Sequence, residues 1–436
     1  MIELIYIVFQ LIIFISLFSI GNFFIVSKKN TLELVNSNYE ILSKNIVVQL
    51  NLILILSFFN LSLDKIIYSY LIFLIVFLFI NIRYFFGNKQ ILNIEICFLF
   101  FICLVIFFNI SFNLTLSWDS EKFWFQKVLN FYNGSSIDNL TNTNRSYNPH
   151  LGDLIWSFFW KLSIISEEYS GRLFYGFFYV VSISLLVSNL KAKYIYKFIF
   201  ILLIIIGTYD YRILFSGNKE VLIFSIFGLM LHIMNKFFQK NSLNENKEVL
   251  FFILSINLLL WSKQVGFVYL ISLLIPLLFL SKLKLNKKLL ILISSFIFYF
   301  LKLFIYKFYN FDLNLKSCCY NDFTISGILN KISFDRFLLI ISYLFFYILQ
   351  NFIFVIGFIF LALGARNRKF FSENNYLYLI ILLNFIFVIT IYVLTDADLD
   401  LMLRTGIERL IFMFLPVFLL LIINYLNHFD KKLLKN

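Results

Sequence analysis

The sequence predicts an all-α polytopic membrane protein, on the evidence of its apolarity, its low charge and its long hydrophobic stretches. The chain has 436 residues, of which 61% are hydrophobic and 14% are charged, and its mean hydropathy is +0.88. Soluble domains are about 45–50% apolar and about a quarter charged. A soluble fold of this size would have too few charges to cover its apolar surface, and the 60 Phe and 25 Tyr residues exclude a disordered chain.

Thirteen stretches of the chain are candidates for spanning helices, which need about 20 mostly apolar residues. They are 3–26, 45–60, 65–82, 91–112, 170–188, 195–209, 219–235, 248–261, 264–281, 288–306, 336–363, 375–394 and 408–427. The second and eighth are short, and 248–281 is also compatible with one broken hairpin around Trp261. We therefore expect about 11–13 transmembrane helices in a single domain, 1–436.

The net charge of +13 follows the predicted loops. With thirteen spans and the N-terminus outside, 21 Lys and Arg residues fall in inner loops, 15 lie on the outer face and Lys302 lies within a span. Inner loops of membrane proteins carry an excess of Lys and Arg, so this distribution predicts a cytoplasmic C-terminus. The basic charge is a topology signal, and we expect no nucleic-acid partner.

One long polar segment, 113–169, falls on the predicted outer face and forms the first large extracytoplasmic loop. It contains four of the five Trp residues, a residue type that favours the membrane interface. Trp156 and Trp160 are four residues apart and share a helix face with apolar neighbours. The loop is therefore predicted to carry interfacial helices that lie flat on the outer leaflet.

Asp119 and Glu121 open this loop just after the fourth stretch. One interpretation is a solvated helix start, with Asp119 as the N-cap. The other is a catalytic pair, in which a carboxylate at the membrane surface takes a proton from an acceptor hydroxyl or holds a divalent cation that binds phosphate oxygens.

Four patches of the chain resemble segments of bacterial GT-C superfamily glycosyltransferases, which are membrane enzymes similar to protein mannosyltransferases. The patches are Trp118-Asp119 with Trp124, Lys127, Gly134 and Tyr147-x-Pro149-His150-Leu151; Ser216-Gly-Asn-Lys-Glu220; Trp261-Ser-Lys-Gln-Val-Gly266; and Leu403-Arg-Thr405 to Arg409-Leu-Ile, followed by Pro416. Together they extend over about two thirds of the chain, and their order matches the order in that superfamily.

The resemblance implies a GT-C-like fold and an inverting glycosyltransferase that uses a polyprenyl-phosphate-linked sugar donor. The acceptor would be a glycan, a lipid or a protein on the extracytoplasmic face, and the location would be the bacterial inner (plasma) membrane. Asp119 is implied as the catalytic base or metal-contacting group, supported by Glu121. The resemblance assigns no definite cofactor, and a divalent cation, Mg²⁺ or Mn²⁺, held by Asp119 and Glu121 is left open.

The remaining candidate residues are polar groups that the predicted topology places on the same face as Asp119. We expect them to bind substrate: Lys127, His150, Lys219, Glu220, Lys263, Arg404 and Arg409. Arg suits phosphate because it binds two oxygens at once, and a Lys between two apolar runs is costly unless it faces water or a ligand.

Several of these residues also have a structural interpretation. His150 is either a surface or interface histidine or a hydrogen-bond donor to phosphate or an acceptor sugar. Arg404 and Arg409 either bind phosphate or anchor the last helix at the membrane interface.

Two other functions stay open at this stage. A polysaccharide flippase or polytopic transporter would have ionisable residues within its spans, broken helices and internal repeats, whereas only Lys302 lies deep in a predicted span. An O-antigen-type polymerase also uses lipid-linked sugars, but its large outer loop usually comes late in the chain.

The predicted topology is tested by labelling single-cysteine variants in intact cells and in inverted vesicles. With the four natural Cys residues replaced by Ser, a Cys at Asn139 should react from outside and a Cys at Lys432 only from inside, because segment 113–169 and the C-terminus are predicted on opposite faces. Labelling of both positions from one side would contradict the orientation.

Overall fold

The computed structural model describes residues 2–19, 37–87, 93–209, 214–239, 245–311 and 325–433. The protein is 84% helical, and no strand occurs in those ranges, which confirms the all-α class. The end of the first predicted stretch, with the inner-loop residues Lys28 and Lys29, lies outside the described residues.

Seventeen α-helices are described. In chain order they are α1 (Ile2–Ser19), α2 (Asn38–Ser57), α3 (Leu63–Gly87), α4 (Ile94–Phe112), α5 (Phe125–Tyr132), α6 (Leu151–Leu162), α7 (Tyr169–Ser188), α8 (Tyr194–Tyr209), α9 (Glu220–Gln239), α10 (Glu245–Ser262), α11 (Gly266–Leu280), α12 (Leu285–Phe308), α13 (Ile325–Lys331), α14 (Phe334–Gln350), α15 (Phe352–Arg366), α16 (Arg368–Val393) and α17 (Leu399–Leu433). A π-helical turn, Ser120–Trp124, precedes α5, and a 3₁₀ helix, Ile137–Asn142, follows it.

Seven of the described helices are long and apolar enough to cross a membrane, or up to nine if each of two bent pairs is one span. Three shorter apolar helices, α1, α8 and α11, coincide with predicted stretches, and α10 coincides with the eighth. Every predicted stretch therefore corresponds to a helix or a helix pair in the part of the chain that is described.

The predicted stretch 336–363 is not one straight helix, because α14 and α15 meet at Asn351 with a bend of 102°. Asn351 ends the first helix and starts the second: its side-chain oxygen accepts a hydrogen bond from the Ile353 amide, and its Nδ2 donates to the Gly207 carbonyl at 3.0 Å. An Asn that caps a helix in this way competes with helix continuation. A milder bend of 41° divides α17 next to Pro416, which lacks the amide hydrogen that the helix needs.

Helices α2, α9 and α10 pack together, with α9 antiparallel to the other two. At one end, Lys44 of α2 donates to Glu40 at 2.6 Å and to Glu248 of α10 at 2.7 Å, and Lys236 near the end of α9 donates to Glu40 at 2.6 Å. We call this the distal end. At the other end, the loop end, Ser57, the start of α9 and the end of α10 meet the segment between α4 and α7.

Candidate active site

Asp119 is paired with Arg409 of α17, which lies 290 residues later in the chain, and Oδ2 of the carboxylate accepts a hydrogen bond from the guanidinium. Asp119 makes no side-chain cap hydrogen bond to the turn that follows it. The geometry therefore does not support the interpretation of Asp119 as an N-cap. The two side chains are 19% and 20% exposed, so both partners are partly accessible from solvent.

Glu220 joins a second cation to this pair. Its carboxylate accepts from Lys263 Nζ at 2.7 Å and lies 3.7 Å from the Arg409 guanidinium. Glu220 is buried and is the first residue of α9, where the positive end of the helix dipole favours a carboxylate. Asp119, Arg409, Glu220 and Lys263 thus form one continuous ion network, which we call the loop-end cluster.

The turn before α9 positions Asp119 next to this network. The backbone of Ser117 donates to the Ser216 carbonyl at 3.0 Å, and the Ser117 hydroxyl donates to Asn218 Oδ1 at 2.9 Å. Gly217 has φ +86°, a backbone conformation that residues other than glycine rarely adopt. The start of the long loop is therefore tied to the residues that lead into Glu220.

Lys219 forms a second ion pair, with Asp153 of α6, at 2.7 Å, and neither side chain is more than 1% exposed. Lys219 Nζ also donates to the Pro149 carbonyl at 2.9 Å and lies 4.1 Å from the centre of the Trp124 ring. Burial lowers the pKa of Lys219 and raises the pKa of Asp153, although each partner opposes the shift of the other. The sequence reasoning did not single out Asp153; the available signal was one carboxylate in the apolar run 151–159.

Lys127 of α5 is buried and holds the loop backbone together. Its Nζ donates to the carbonyl of Arg145 at 2.7 Å and to that of Asn148 at 3.2 Å. Burial lowers the pKa of Lys127 to about 7, against the opposing effect of Asp153. Lys127 was expected to bind substrate, but its ammonium group instead bonds to these backbone carbonyls.

His150 is buried, so the expectation of a surface or interface histidine is wrong. Its Nε2 shares a 3.2 Å hydrogen bond with the Ser57 hydroxyl, and its ring lies 5.0 Å from that of Trp261. Burial, with Lys127 nearby, holds the pKa of His150 well below its ordinary value, so the ring is neutral at pH 7. The residue joins the loop to the ends of α2 and α10.

Glu121 and Arg404 lie apart from the loop-end cluster. Glu121 is exposed and pairs with Lys122 at 3.3 Å. It does not face the cluster with Asp119, because residues two apart in a helical turn do not share a face. Arg404 is also exposed and pairs with Asp400 at 2.7 Å, whereas Arg409 faces the cluster. Arg404 and Arg409 are five residues apart on one helix, which separates their side chains by about 140° around its axis.

The loop helix α6 packs into the bundle, which differs from the expected helix lying flat on a leaflet. Trp156 is fully buried and its Nε1 donates to the Glu168 carbonyl at 3.4 Å. A Cβ added at Gly171 would lie 2.3 Å from the Trp156 carbonyl oxygen, and one at Gly217 would lie 2.4 Å from the Trp156 ring. The indole therefore fills a gap that these two glycines leave open.

Arg172 is another buried charge that the sequence reasoning assigned no role. Its Nε donates to Glu168 at 2.9 Å and its Nη1 to the Phe215 carbonyl at 2.9 Å. These bonds connect the start of α7 to the turn before α9, so Arg172 stabilises the position of that turn.

The partly exposed residues of the loop-end cluster determine which ligands can bind there. Lys263 and Arg409 are about one fifth exposed, while Glu220, between them, is buried. A ligand that reaches the cluster therefore meets two cations and the Asp119 carboxylate. Two adjacent cations suit a phosphate group, and a carboxylate beside them can accept a proton.

A metal centre has no support in the side chains that are described. No group of three or more His, Cys, Asp or Glu residues there could hold a metal ion. Asp119 and Glu121, the pair proposed as ligands, have separate cationic partners, Arg409 and Lys122.

Comparison of the chain with protein-family models, curated proteins and solved structures finds no match. The loop-end cluster is consequently the observation from which a function is inferred.

The buried Lys127 predicts a pH dependence of stability. The unfolded chain takes up this proton near pH 10.4 and the folded protein only near pH 7, so stability falls as the pH drops through that interval, by up to about 1.4 kcal/mol per pH unit. Lys127→Met removes the titrating group, and the thermal unfolding midpoint of the detergent-solubilised variant should change less between pH 10 and pH 7.

Lys122→Met, at an exposed position in the same loop, is the matched control and should keep the wild-type slope. Equal slopes for Lys127→Met and the wild type would contradict the assignment of this proton to Lys127.

Proposed function

We propose that the chain is a membrane glycosyltransferase that transfers a sugar from a polyprenyl-phosphate donor to an acceptor hydroxyl. The observation that carries this proposal is the loop-end cluster itself. Asp119, Glu220, Lys263 and Arg409 come from four patches, each of which loosely resembles GT-C enzymes, and they meet in one ion network. Residues that are distant in sequence and adjacent in space are what a shared active site requires.

Lys263 and Arg409 bind the donor phosphate in this proposal. Their charges are partly exposed and lie on either side of Glu220, which fixes both side chains. Negative charge grows on the phosphate as the bond to the sugar breaks, and fixed cations stabilise that charge in the transition state. Glu220 is a positioning residue, and the buried Lys219–Asp153 pair supports the turn that carries it.

Asp119 is the general base. The acceptor oxygen bonds to the anomeric carbon while the bond from that carbon to the phosphate oxygen breaks, and its electron pair leaves with polyprenyl phosphate. Asp119 takes the hydroxyl proton, and the sugar carbon is inverted. Arg409 pairs with Asp119 in the structure. A bound phosphate competes for Arg409 and so frees the carboxylate to act as a base.

The active site faces the extracytoplasmic side of a bacterial plasma membrane in this proposal. The basis is the charge distribution: the loop-end cluster falls on the predicted outer face, and the Lys-rich loops fall on the inner face. The acceptor is a glycan, a lipid or a protein.

A transporter or flippase is the second candidate, and one observation favours it. Helix α9 takes part in ion networks at both ends, through Glu220 and Lys236, and Lys302 is buried in α12 with its Nζ donating to the Leu260 carbonyl at 2.9 Å. Charges within spans often mark transport pathways.

One assay separates these two candidates. Purified protein is incubated with polyprenyl-phosphate sugars and a mixture of acceptor saccharides, and polyprenyl phosphate is measured. A transferase releases it with formation of an equal amount of glycosylated acceptor. Movement of intact donor across proteoliposomes without release would instead support the transporter.

Asp119→Asn should lower the rate of transfer about 100- to 10,000-fold, the usual contribution of a general base. The change is nearly isosteric, so the thermal unfolding midpoint should change little. Glu167→Gln, at an exposed carboxylate of the same loop, is the matched control and should keep the wild-type rate. Transfer by Asp119→Asn at the wild-type rate would remove its catalytic role.

Arg409→Lys should lower the transfer rate about 10- to 1000-fold, because Lys keeps the charge but cannot bind two phosphate oxygens in a plane. Arg368→Lys, on α16 away from the cluster, serves as the control and should have no effect. Normal kinetics of Arg409→Lys over a range of donor concentrations would show that the guanidinium does not bind the phosphate.

A further inference from the structure

Helix α14 lies nearly at right angles to α15, to which it is joined at Asn351 by a bend of 102°. Near the start of α15, the ring of Phe354 lies 6.2 Å from that of Phe414 in α17. Further along both helices, the ring of Phe360 lies 4.8 Å from that of Tyr425, so α15 and this part of α17 run in the same direction. α15 therefore follows the direction of a candidate span, and α14 crosses that direction.

The length of α15 fits a crossing of the membrane that begins below the surface. α15 has 15 residues, which rise about 22 Å, whereas the hydrocarbon core is about 30 Å thick. The difference of about 8 Å is within the 5–10 Å by which amphipathic helices at a membrane surface are buried. At its other end α15 finishes with the exposed Arg366, a long basic side chain that is able to reach the interface.

One face of α14 is apolar and exposed. Its large side chains recur at intervals of three and four residues, which places them on one side of the helix. They are 38–76% exposed: Phe334, Phe337, Leu338, Ile341, Phe345 and Leu349. After the bend, α15 exposes a row of apolar side chains as well: Phe352, Ile356, Ile359 and Leu363. Acyl chains that cover the exposed side of α15 in a membrane therefore reach the apolar face of α14.

The opposite edge of α14 is polar and is bonded to the segment between α16 and α17 and to the first turn of α17. Arg336 Nη2 donates to the Thr395 carbonyl at 2.7 Å. Tyr343 lies seven residues later, on the same edge, and its hydroxyl donates to the Asp400 carboxylate at 2.5 Å. These bonds fix the rotation of α14, with the polar edge against the bundle and the apolar face turned away from it.

The charge of α14 is balanced, because Asp335 and Arg336 are its two charged residues. Arg336 is also bonded to a backbone carbonyl of the bundle. Surface helices that bind through anionic headgroups carry Lys and Arg along their polar face. The composition of α14 therefore favours attachment by burial of apolar side chains, without a requirement for anionic lipid.

We propose that α14 lies in the membrane interface at the loop end, with its apolar face in the acyl chains of that leaflet and its polar edge at the level of the headgroups. The partner of this surface is the lipid leaflet. The stretch 336–363 then crosses the membrane with α15 alone. This inference goes beyond the proposed transferase activity and does not depend on it.

The position of α14 in the membrane also determines the level of the loop-end cluster. Tyr347 donates to the Arg404 carbonyl at 3.3 Å, and Arg404 Nε donates to the Tyr343 hydroxyl at 3.1 Å. α14 is thus bonded to the first turns of α17, the helix that carries Arg409. An interfacial α14 holds Arg409 close to the layer in which lipid phosphates lie.

The test is a scan of spin labels on single-cysteine variants of the full-length protein in phosphatidylcholine nanodiscs, with the four natural Cys residues replaced by Ser. Labels are placed at the exposed positions between 334 and 350, where they disturb no packing. Depth is measured from the relaxation of each label by molecular oxygen, which concentrates in acyl chains, and by a water-soluble nickel chelate.

An interfacial α14 should give a depth that oscillates with a period of about 3.6 residues and stays within about 10 Å, the diameter of a helix. A depth that changes steadily by about 25 Å over the 17 residues would show that α14 is part of a span and would overturn the proposal.

Two exposed positions form a matched pair. The label at Phe345, on the apolar face, should be relaxed mainly by oxygen, and the label at Gln350, seven residues after Tyr343 on the polar edge, mainly by nickel. A label at Ile359 of α15 is the reference for the membrane interior and should lie deeper than both. Access of nickel to Phe345 would place the face in water, and exclusion of both reagents would mean that protein covers it; either result overturns the proposal.

The lipid headgroup provides a further control. Replacement of phosphatidylcholine by phosphatidylglycerol should leave the depth of the Phe345 label unchanged, because α14 has no net charge. Insertion of this label only in phosphatidylglycerol would show that headgroup charge holds the helix, which contradicts attachment by apolar burial.

Discussion

Asp153 and Lys219 form an ion pair with almost no exposed surface, and the loop end is arranged around it. A buried charge without its partner costs several kcal/mol, so α6 and the turn before α9 have to stay in contact. That contact holds Trp156 against Gly217, and it leaves Ser117 beside Asn218. Asp119 then lies within reach of Arg409. The proposed chemistry therefore rests on a pair that does not itself reach the substrate.

The helices were predictable because a helix that crosses a membrane needs a long apolar run. The same runs alternate the loops between two faces, which is why Asp119, Lys219, Glu220, Lys263 and Arg409 were expected together. The break at Asn351 was not predicted. The Asn351 side chain interrupts the helix here because it accepts a hydrogen bond from the Ile353 amide and donates one to the distant Gly207 carbonyl. A pattern of hydropathy contains no information on such a distant acceptor.

The contacts within the site were harder to predict, because they depend on helix rotation and on burial. Arg404 and Arg409 have the same side chain and lie close together in the sequence, but Arg404 pairs with Asp400 whereas Arg409 pairs with Asp119. Asp153 has no motif around it, and its importance comes only from Lys219. His150 stands in a polar loop by sequence and is nonetheless enclosed by Ser57 and Trp261. Charge and residue type suggest candidates, and packing decides between them.

Trp156 between Gly171 and Gly217 has a consequence for how this sequence is able to diverge. A side chain at Gly171 would meet the Trp156 backbone oxygen, and one at Gly217 would meet the indole and be strained by the positive φ, so no substitution at 156 accommodates either. A smaller residue at 156 leaves an internal void beside both glycines. Drift at this point is slow, since no single second change restores the fit after the first.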